Sequence, residues 1–509
     1  TIDDSALLSR KPSTLLTMAD EKRSPSPDPE PHHGDALVRP PGWKYRGFKI
    51  LGKEYWYASP SVQLFMVSMV CFLCPGMFNA LSGMGGMGLK DLNAAAKAST
   101  ALYSTFAVVA FFAGTIANRL GLRLTLTIGG IGYCVYVASF LCYAHTANNG
   151  FVIFAGALLG VCAGMLWTAQ GAIMMAYPSE ERKGRYISAF WMIFNFGAVI
   201  GALIPLGQNV SNKDGNVTDG TFAGFIIMTF LGAVLSMGLT NANNIIRRDG
   251  TKVIVMKNPS WKTEFIGLWE TIVGDPWVLL LFPLFFSSNT FYTYQLNIMN
   301  GAYFTTRTRA LNSVLYWTAQ IVGAFIWGFC LDFTKIRRSL RAKLAFGVVT
   351  ALTFAIWGGG WAWQKDRPGR GKTEGTEIDW EDGSKFLAPM FLYFFYGFYD
   401  AVYQTTIYWY MGALSNSGRK SANYAGLYKG LQSAAAAIWW DMDNRGTAYN
   451  TIFAATWGTL AGSLVIALPV IWLRIKDTVE IEEDLKFSDA TIEDALAPGA
   501  IEKKDHVVS

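Results

Sequence analysis

The chain has 509 residues, and only 16% of them carry a charge, far below the roughly 25% of an ordinary soluble domain. Hydrophobic residues make up 51% of the sequence, and the mean hydropathy is +0.25. The formal net charge is +6 at neutral pH. This composition excludes an ordinary soluble enzyme and predicts a membrane protein whose charges are concentrated in its loops.

Twelve apolar stretches with few or no charges follow one another along the chain. A helix of roughly 20 residues crosses a hydrocarbon core of about 30 Å, and only a helix satisfies the backbone of a single span in lipid. The sequence therefore predicts an all-α membrane protein with twelve transmembrane helices. The predicted spans are 61–82, 99–117, 124–143, 151–177, 186–207, 222–240, 277–299, 311–331, 344–363, 386–414, 422–440 and 448–473.

The connections between these spans divide the chain into two six-helix halves. The longest internal connection, residues 241–275, carries five basic residues and is predicted to be a cytoplasmic linker between halves at 56–240 and 276–474. Residues 1–55 are predicted to be a disordered, basic N-terminal tail, and residues 475–509 an acidic tail.

Loop charges predict which side of the membrane each loop occupies. The loops on the side of the 241–275 linker hold 17 Lys and Arg, whereas the loops on the other side hold 11. The positive-inside rule then places the first set and both termini in the cytoplasm. Asn209 and Asn216 each begin an Asn-x-Ser/Thr sequence in the loop after the fifth span, so both are predicted to be external and glycosylated. The membrane is predicted to be the plasma membrane or a vacuolar or endosomal membrane.

Metal and cofactor chemistry finds little support in the sequence. All six cysteines fall inside predicted spans and the chain has only four histidines, so neither a disulfide framework nor a metal site is expected. A Gly-x-Gly-x-x-Gly run at 83–88 ends a membrane span instead of following a strand, so it predicts no dinucleotide site. We expect no cofactor, no catalytic constellation and no nucleic-acid partner, and we expect the basic face to meet anionic lipid headgroups.

Two loops at equivalent positions in the halves share one residue pattern. The first follows span 2 and the second follows span 8, and the spacings from Gly to Asn or Asp and on to Arg are the same in both. This match predicts an internal duplication. The candidate gating residues in these loops are Gly114, Asn118, Arg119, Gly121, Arg123, Gly328, Asp332, Arg337 and Arg338.

The paired loops resemble the signature of the major facilitator superfamily, Gly-x-x-x-Asp-Arg-x-Gly-Arg-Arg. The resemblance implies a bundle of two six-helix halves in which these loops latch the cytoplasmic side shut during alternating access. The acid of the loop is expected to cap the next helix and to pair with Arg across the gate. Asn118 replaces the usual Asp, which weakens the expected latch in the first half.

A narrower resemblance connects the chain to the uncoordinated-93-like family of that superfamily. It rests on the residues at 74–81, on the end of span 4 at 167–171 and on the loop at 177–185. The family implies either a transporter or a regulator or trafficking partner of another membrane protein. We therefore predict a secondary transporter that moves a small solute by alternating access, with proton coupling as one option. The alternative is a non-transporting scaffold that binds a membrane-protein partner.

Polar residues inside the predicted spans are the candidate solute-binding groups, because each costs a few kcal/mol unless it faces the bundle interior. Several of them follow helical steps of three and four along spans 7 and 10 and therefore share a face. In the superfamily, spans 1, 4, 7 and 10 line the central cavity. The candidates are Asn79, Trp167, Gln170, Asn195, Asn289, Tyr292, Gln295, Tyr396, Asp400, Tyr403, Gln404 and Lys429.

Asp400 and Lys429 are the only charged residues inside the twelve predicted spans. They are expected at similar depths in neighbouring helices, so we predict that they interact, directly or through water. The alternative is that Lys429 extends to the cytoplasmic surface while Asp400 stays protonated among tyrosines.

Overall fold

A computed structural model describes residues 39–50, 52–83, 92–179, 182–209, 219–248, 250–253, 266, 269, 272–370, 377–415 and 417–478. Of the two predicted tails, only 39–50, 52–55 and 475–478 fall within these residues. The side chains of the predicted glycosylation sites Asn209 and Asn216 lie outside the description, so glycosylation stays a prediction.

The first half consists of six long helices. They are α1 at Pro60–Gly83, α2 at Leu92–Leu120, α3 at Leu122–Thr146, α4 at Asn149–Ala176, α5 at Lys183–Asn209 and α6 at Asp219–Met237.

The second half repeats this arrangement with one broken member. Helix α7 runs over 276–302 in four pieces, Pro276–Leu281, Phe282–Ser287, Thr290–Tyr292 and Thr293–Ala302. The others are α8 at Thr306–Leu331, α9 at Arg338–Gln364, α10 at Ser384–Leu414, α11 at Gly418–Asn444 and α12 at Tyr449–Leu473. The prediction of a twelve-helix, all-α bundle is confirmed.

Local sequence explains where several helices begin and turn. Ser59 caps α1 by accepting a hydrogen bond from the Val62 amide, and Asn148 caps α4 in the same way. Gly121 separates α2 from α3 with a φ of +83°, a conformation that side-chain-bearing residues rarely adopt.

Two helices of the bundle are irregular near its centre. Helix α1 widens into a π-helical turn over Phe72–Gly76, where Pro75 has no amide to donate. Helix α7 breaks at Ser288 and Asn289 and continues as a π-helix over Thr293–Ala302, whereas the sequence predicted an unbroken helix. Irregular turns of this kind often mark functional positions.

The spans differ in how apolar they are. Nine helices in the described part of the chain are long and apolar enough to cross a membrane, and they include all six of the first half. The three remaining spans are α7, α10 and α11. These three also carry most of the buried polar side chains of the second half.

Glycines let helices of the two halves approach closely. A Cβ at Gly114 of α2 would lie 2.8 Å from the carbonyl oxygen of Ala422 in α11, and one at Gly426 would lie 2.6 Å from that of Ala110. Real Cβ atoms do not approach other atoms so closely, so only glycine permits this packing.

One end of the bundle, which we call the basal face, gathers the loops that were predicted to be cytoplasmic. Tyr45 donates a hydrogen bond to the carbonyl of Asn244 at 3.0 Å, and Arg338 donates to that of Lys476 at 2.7 Å. Residues Phe48–Ile50 and Lys53–Tyr55 pair as an antiparallel hairpin. The end of the predicted disordered tail at 1–55 is therefore ordered.

Candidate functional site

A central cavity of about 450 Å³ lies between the halves. This volume is typical of a pocket for a small molecule. Side chains of both halves form its wall, and the wall extends to the ends of the helices opposite the basal face. The first half contributes Phe78, Asn79, Tyr133, Trp167, Trp191 and Phe194, and the second half contributes Asn289, Tyr292, Gln320, Gln404, Lys429 and Gln432.

Asp400 lies just behind this wall, on α10, and its side chain is fully buried. Its Oδ2 accepts hydrogen bonds from Tyr292 Oη at 2.8 Å, Tyr316 Oη at 2.9 Å and Gln320 Nε2 at 2.7 Å. Gln320 in turn accepts from the indole Nε1 of Trp191 at 2.8 Å. A chain of hydrogen bonds therefore connects an aromatic residue of the first half to the buried acid of the second half.

Lys429 lies on the cavity wall and belongs to a second polar cluster. Its Nζ donates to Gln432 Oε1 at 2.7 Å and sits 4.5 Å from the ring centre of Trp167. Gln432 donates to Gln404 Oε1 at 3.0 Å and to Ser288 Oγ at 2.9 Å. The cluster thereby connects α11 to α10 and to the break in α7.

The two charges do not form a direct ion pair in this structure. Among the described side chains, Lys429 contacts Gln432 and aromatic rings, whereas Asp400 is held by Tyr292 and Tyr316. Gln404 lies one helical turn from Asp400 and belongs to the Lys429 cluster. An interaction of the two charges through water stays a prediction.

The predicted site residues separate into three groups. Six of the twelve line the cavity, namely Asn79, Trp167, Asn289, Tyr292, Gln404 and Lys429. Gln295 lies behind the wall with Asp400, and its Oε1 is 2.8 Å from the Tyr316 hydroxyl.

Four of the predicted site residues are absent from the cavity wall and contact neighbouring helices or their own helix. Gln170 donates to the sulfur of Met174, and Asn195 donates to the carbonyl of Trp191. Tyr403 contacts the hydroxyls of Ser287 and Ser463, and Tyr396 packs its ring on Trp357 at 5.0 Å. The contacts of Tyr403 and Tyr396 join neighbouring helices, whereas those of Gln170 and Asn195 lie within one helix. A role of these four residues in solute binding stays a prediction.

Several lining residues were not among the predicted candidates. Gln432 lies three residues after Lys429 and shares its face of α11, so the helical period could have identified it. Charged groups also line the mouth of the cavity, where Arg370 pairs with Asp443 and Asn297 donates to Asp443 at 3.1 Å. Arg370 lies in the loop after α9, and Asp443 lies beyond the predicted end of span 11, so the span pattern points to neither.

The second of the paired loops connects the halves at the basal face. Asp332 accepts hydrogen bonds from the backbone amides of Gly184 at 2.8 Å and Arg185 at 2.6 Å, at the start of α5. Burial raises the pKa of Asp332 to about 6. The expectation that this acid caps the following helix is wrong, because it binds the amides of a helix in the other half. The amide end of a helix attracts a carboxylate.

The remaining predicted gating residues take different places. Gly328 packs against Ser188 of α5, and Gly114 packs against α11. Arg119 and Arg123 are exposed, and Gly121 forms the turn between α2 and α3. Arg337 precedes α9, and Arg338 donates a hydrogen bond to the carbonyl of Lys476. Asn118 lies at the end of α2.

Lys183 makes a further contact between the halves at the basal face, beside Asp332. Lys183 is only 2% exposed, and its Nζ donates to the carbonyl oxygens of Gly412 and Ser415 at the end of α10. Together with Asp332, it forms a seal between α5 of the first half and α8 and α10 of the second.

Comparisons with known proteins agree with this architecture. A family model described as the Major Facilitator Superfamily matches residues 60–440. An UNC93-like protein of Schizosaccharomyces pombe is 48% identical over 461 residues, covering 90% of this chain and 92% of that protein. UNC93-like protein 1 of Arabidopsis thaliana is 40% identical over 423 residues, covering 83% and 92%.

Solved structures share the fold at low sequence identity. The proton:xylose symporter XylE has a TM-score of 0.60 at 11% identity, covering 82% of this chain and 98% of its own. The transporter FucP in its outward conformation has a TM-score of 0.56 at 12% identity, covering 80% and 98%. The chain is thus a multi-pass integral membrane protein that belongs to the major facilitator superfamily and, within it, to the UNC93-like proteins.

Proposed function

We propose that this protein is a secondary transporter that moves a small solute by alternating access. The observation that carries the proposal is the central cavity of about 450 Å³, whose wall comes from both halves. A site shared by two rigid halves is reached from one side or the other as the halves rock.

The contacts between the halves support a state that is closed at the basal face. Asp332 and Lys183 bridge the halves there, and Gly114 packs directly on α11. The lining residues extend instead to the opposite ends of α2, α8 and α11. In the rocking step the basal contacts would break, while contacts such as that between Ser313 and the carbonyl of Gly83 at 2.8 Å would tighten.

Asp400 is the group that we propose to couple transport to protons. It is a fully buried acid inside a membrane span, and its Oδ1 has no hydrogen-bond partner among the described atoms. Tyr292 contacts it and also lines the cavity, so a solute can influence the acid through one side chain. Buried acids in transporter spans commonly carry protons.

Purified protein in liposomes tests both parts of the proposal. With the outside one pH unit more acidic and the membrane potential clamped at zero, a solute carried with one proton should accumulate up to about tenfold. The Asp400→Asn variant should equilibrate the solute without accumulating it. The matched control Asp366→Asn removes an acid that is exposed in a loop and should accumulate like the parent.

Two outcomes would contradict the proposal. Accumulation by Asp400→Asn equal to that of the parent would remove Asp400 from the coupling step. Failure to move any solute of a broad panel, together with a membrane protein that stays bound through purification, would favour the scaffold alternative.

A further inference from the structure

We infer that the cavity selects small organic anions, with a single negative group against Lys429 and an apolar or aromatic body along the first-half wall. This inference names the solute class and rests on the proposed transport function. Its starting point is the incomplete set of partners around the Lys429 ammonium.

Lys429 is 5% exposed and holds its ammonium inside the bundle. An ammonium has three N–H donors, and one of them reaches Gln432 Oε1 at 2.7 Å. The other described neighbours are ring faces, with Trp167 at 4.5 Å and Tyr428 at 4.9 Å. A buried cation costs several kcal/mol unless an anion accompanies it, and ring faces recover only about 2 kcal/mol.

The nearby carboxylates of the described chain are already engaged. Asp400 accepts three hydrogen bonds on Oδ2 and lies behind Tyr292, and it is not part of the cavity wall. Asp443 lies at the mouth, where Arg370 pairs with it. Neither acid forms a direct ion pair with Lys429, although the charge of Asp400 acts on the ammonium from behind the wall.

The charged lining residues that the structure describes add a second argument. They are three cations, Lys429, Arg309 and Arg370, and one acid, Asp443. With Arg370 paired to Asp443, the formal charges of Lys429 and Arg309 leave two positive charges on the wall, and the buried Asp400 behind the wall offsets one of them. A cavity with this charge attracts anions and repels cations.

The remaining lining residues indicate what the uncharged part of the solute should be. Trp167 packs edge-to-face on Phe194 at 5.2 Å, and Phe78 packs in the same way on Tyr133 at 5.9 Å. These rings form a firm apolar surface that suits an aromatic or aliphatic group. An inorganic anion would leave this surface unused, and a neutral polyol would leave Lys429 without a counter-charge.

The test compares solutes of one shape and different charge on the purified full-length protein. The probes are 3-phenylpropionate, indole-3-acetate and octanoate, each with its neutral amide and its corresponding amine, and binding is measured by equilibrium dialysis of radiolabelled compounds. A charge-assisted hydrogen bond to an ammonium predicts that at least one acid binds about tenfold more tightly than its amide. The amines should bind least.

Variants then attribute the preference to one residue. Lys429→Gln should bind acid and amide equally, while Lys429→Arg should keep most of the preference for the acid. Lys343 is the matched control, because it also sits over a ring, that of Trp472 at 5.5 Å, but outside the cavity. Lys343→Gln should keep the tenfold preference. Thermal unfolding of each variant shows whether it is folded.

Three results would overturn the inference: equal binding of acids and amides throughout, tighter binding of the amines, or no binding of any acid. Uptake into liposomes separates this inference from the transport proposal. Binding of an acid without uptake would leave anion selection standing and count against transport. Uptake of neutral or cationic solutes without acid binding would leave transport standing and count against anion selection.

Discussion

The two halves of this bundle share a helix count and a duplicated loop, but they are built differently. Within the described residues, all six helices of the first half are apolar enough to span a membrane, whereas in the second half α8, α9 and α12 are. Of the other three helices of the second half, α10 carries Asp400, and α11 carries Lys429 and Gln432. The first half thus supplies much of the aromatic wall of the cavity, and the second half supplies most of its polar groups.

The packing within the halves differs in emphasis, although α8 and α10 of the second half also touch closely, since a Cβ at Gly397 would overlap the Tyr316 carbonyl oxygen. In the first half, backbones of α2 and α4 touch at Gly156 and Gly160. In the second half, hydrogen bonds between side chains join helices, as between Tyr294 and Gln364 at 2.8 Å. Close backbone packing tolerates no added atoms, whereas a polar network tolerates changes that keep its donors and acceptors.

The largest effect should come from adding one methyl group to the first half. A Cβ at Gly160 would overlap the carbonyl oxygen of Leu102 and lie 2.8 Å from the Phe106 nitrogen. Overpacking of this kind costs about 1–3 kcal/mol or more. Gly160→Ala should therefore lower the unfolding temperature by several degrees or prevent recovery of monodisperse protein, measured by thermal unfolding in detergent.

Gly458 in α12 is the control for that change. Nothing lies within 4 Å of a Cβ built there, and the residue is exposed. Gly458→Ala should be neutral or slightly stabilising, since alanine is the better helix former. Equal losses in the two variants would mean that the first half does not depend on close backbone packing.

A smaller effect, on the opening of the basal seal, should follow from the protonation of Asp332. Burial raises the pKa of Asp332 from its ordinary 3.8 to about 6, so the closed seal favours the protonated acid. That contribution to closure is fully present below about pH 3.8 and is lost as the pH rises through about 6. Acidification from pH 7.5 to 5 should therefore favour the closed seal about tenfold.

The measurement is the labelling rate of a cysteine at the buried Ser188, made as Ser188→Cys in a chain without its six native cysteines. Each rate is divided by that of the same denatured variant at the same pH, because the reactive thiolate fraction falls on acidification. The corrected rate should fall about tenfold, and Asp332→Asn should remove this fall. Asp477→Asn is the control, because hydrogen bonds from Ser339 lower the pKa of that exposed basal acid. A pH response that survives Asp332→Asn would assign the titration elsewhere.

The smallest effect should come from breaking the hydrogen-bond chain that connects Trp191 of the first half to Asp400. Trp191→Phe removes the indole N–H that donates to Gln320, and Gln320 itself donates to Asp400. Loss of one hydrogen bond costs about 1 kcal/mol, which is about fivefold in an equilibrium constant. The pH at which uptake is half-maximal should therefore shift. Trp327→Phe removes a similar bond, to Thr406 within the second half at 2.7 Å. The second variant should lose similar stability while its uptake keeps the parental pH dependence.

Hydropathy alone predicted the twelve helices because lipid forces each span to be apolar and helical. Helix α7 was predicted as one unbroken span, and the run Ser287, Ser288 and Asn289 was its only visible sign of a break. Its break depends on contacts of Ser288 with Gln404 and Gln432, which come from two other helices.

The candidate site was only partly predictable for a similar reason. Helical steps place Tyr396, Asp400 and Gln404 on one face of α10, but of these only Gln404 reaches the cavity. How a helix is rotated in the bundle depends on its neighbours, here Tyr316 and Gln320 of α8, and no local pattern of α10 contains that information.

The hydroxyl of Tyr316 lies within hydrogen-bond distance of both Asp400 Oδ2 and Gln295 Oε1. A phenol has a single hydrogen, so the two acceptors compete for it. An ionised Asp400 holds that hydrogen, and an Asp400 that has taken up a proton releases it to Gln295 in the π-helical part of α7. Rotation of the Tyr316 hydroxyl would then change the hydrogen bonding of the broken helix α7 in response to the charge on Asp400, before any backbone moves.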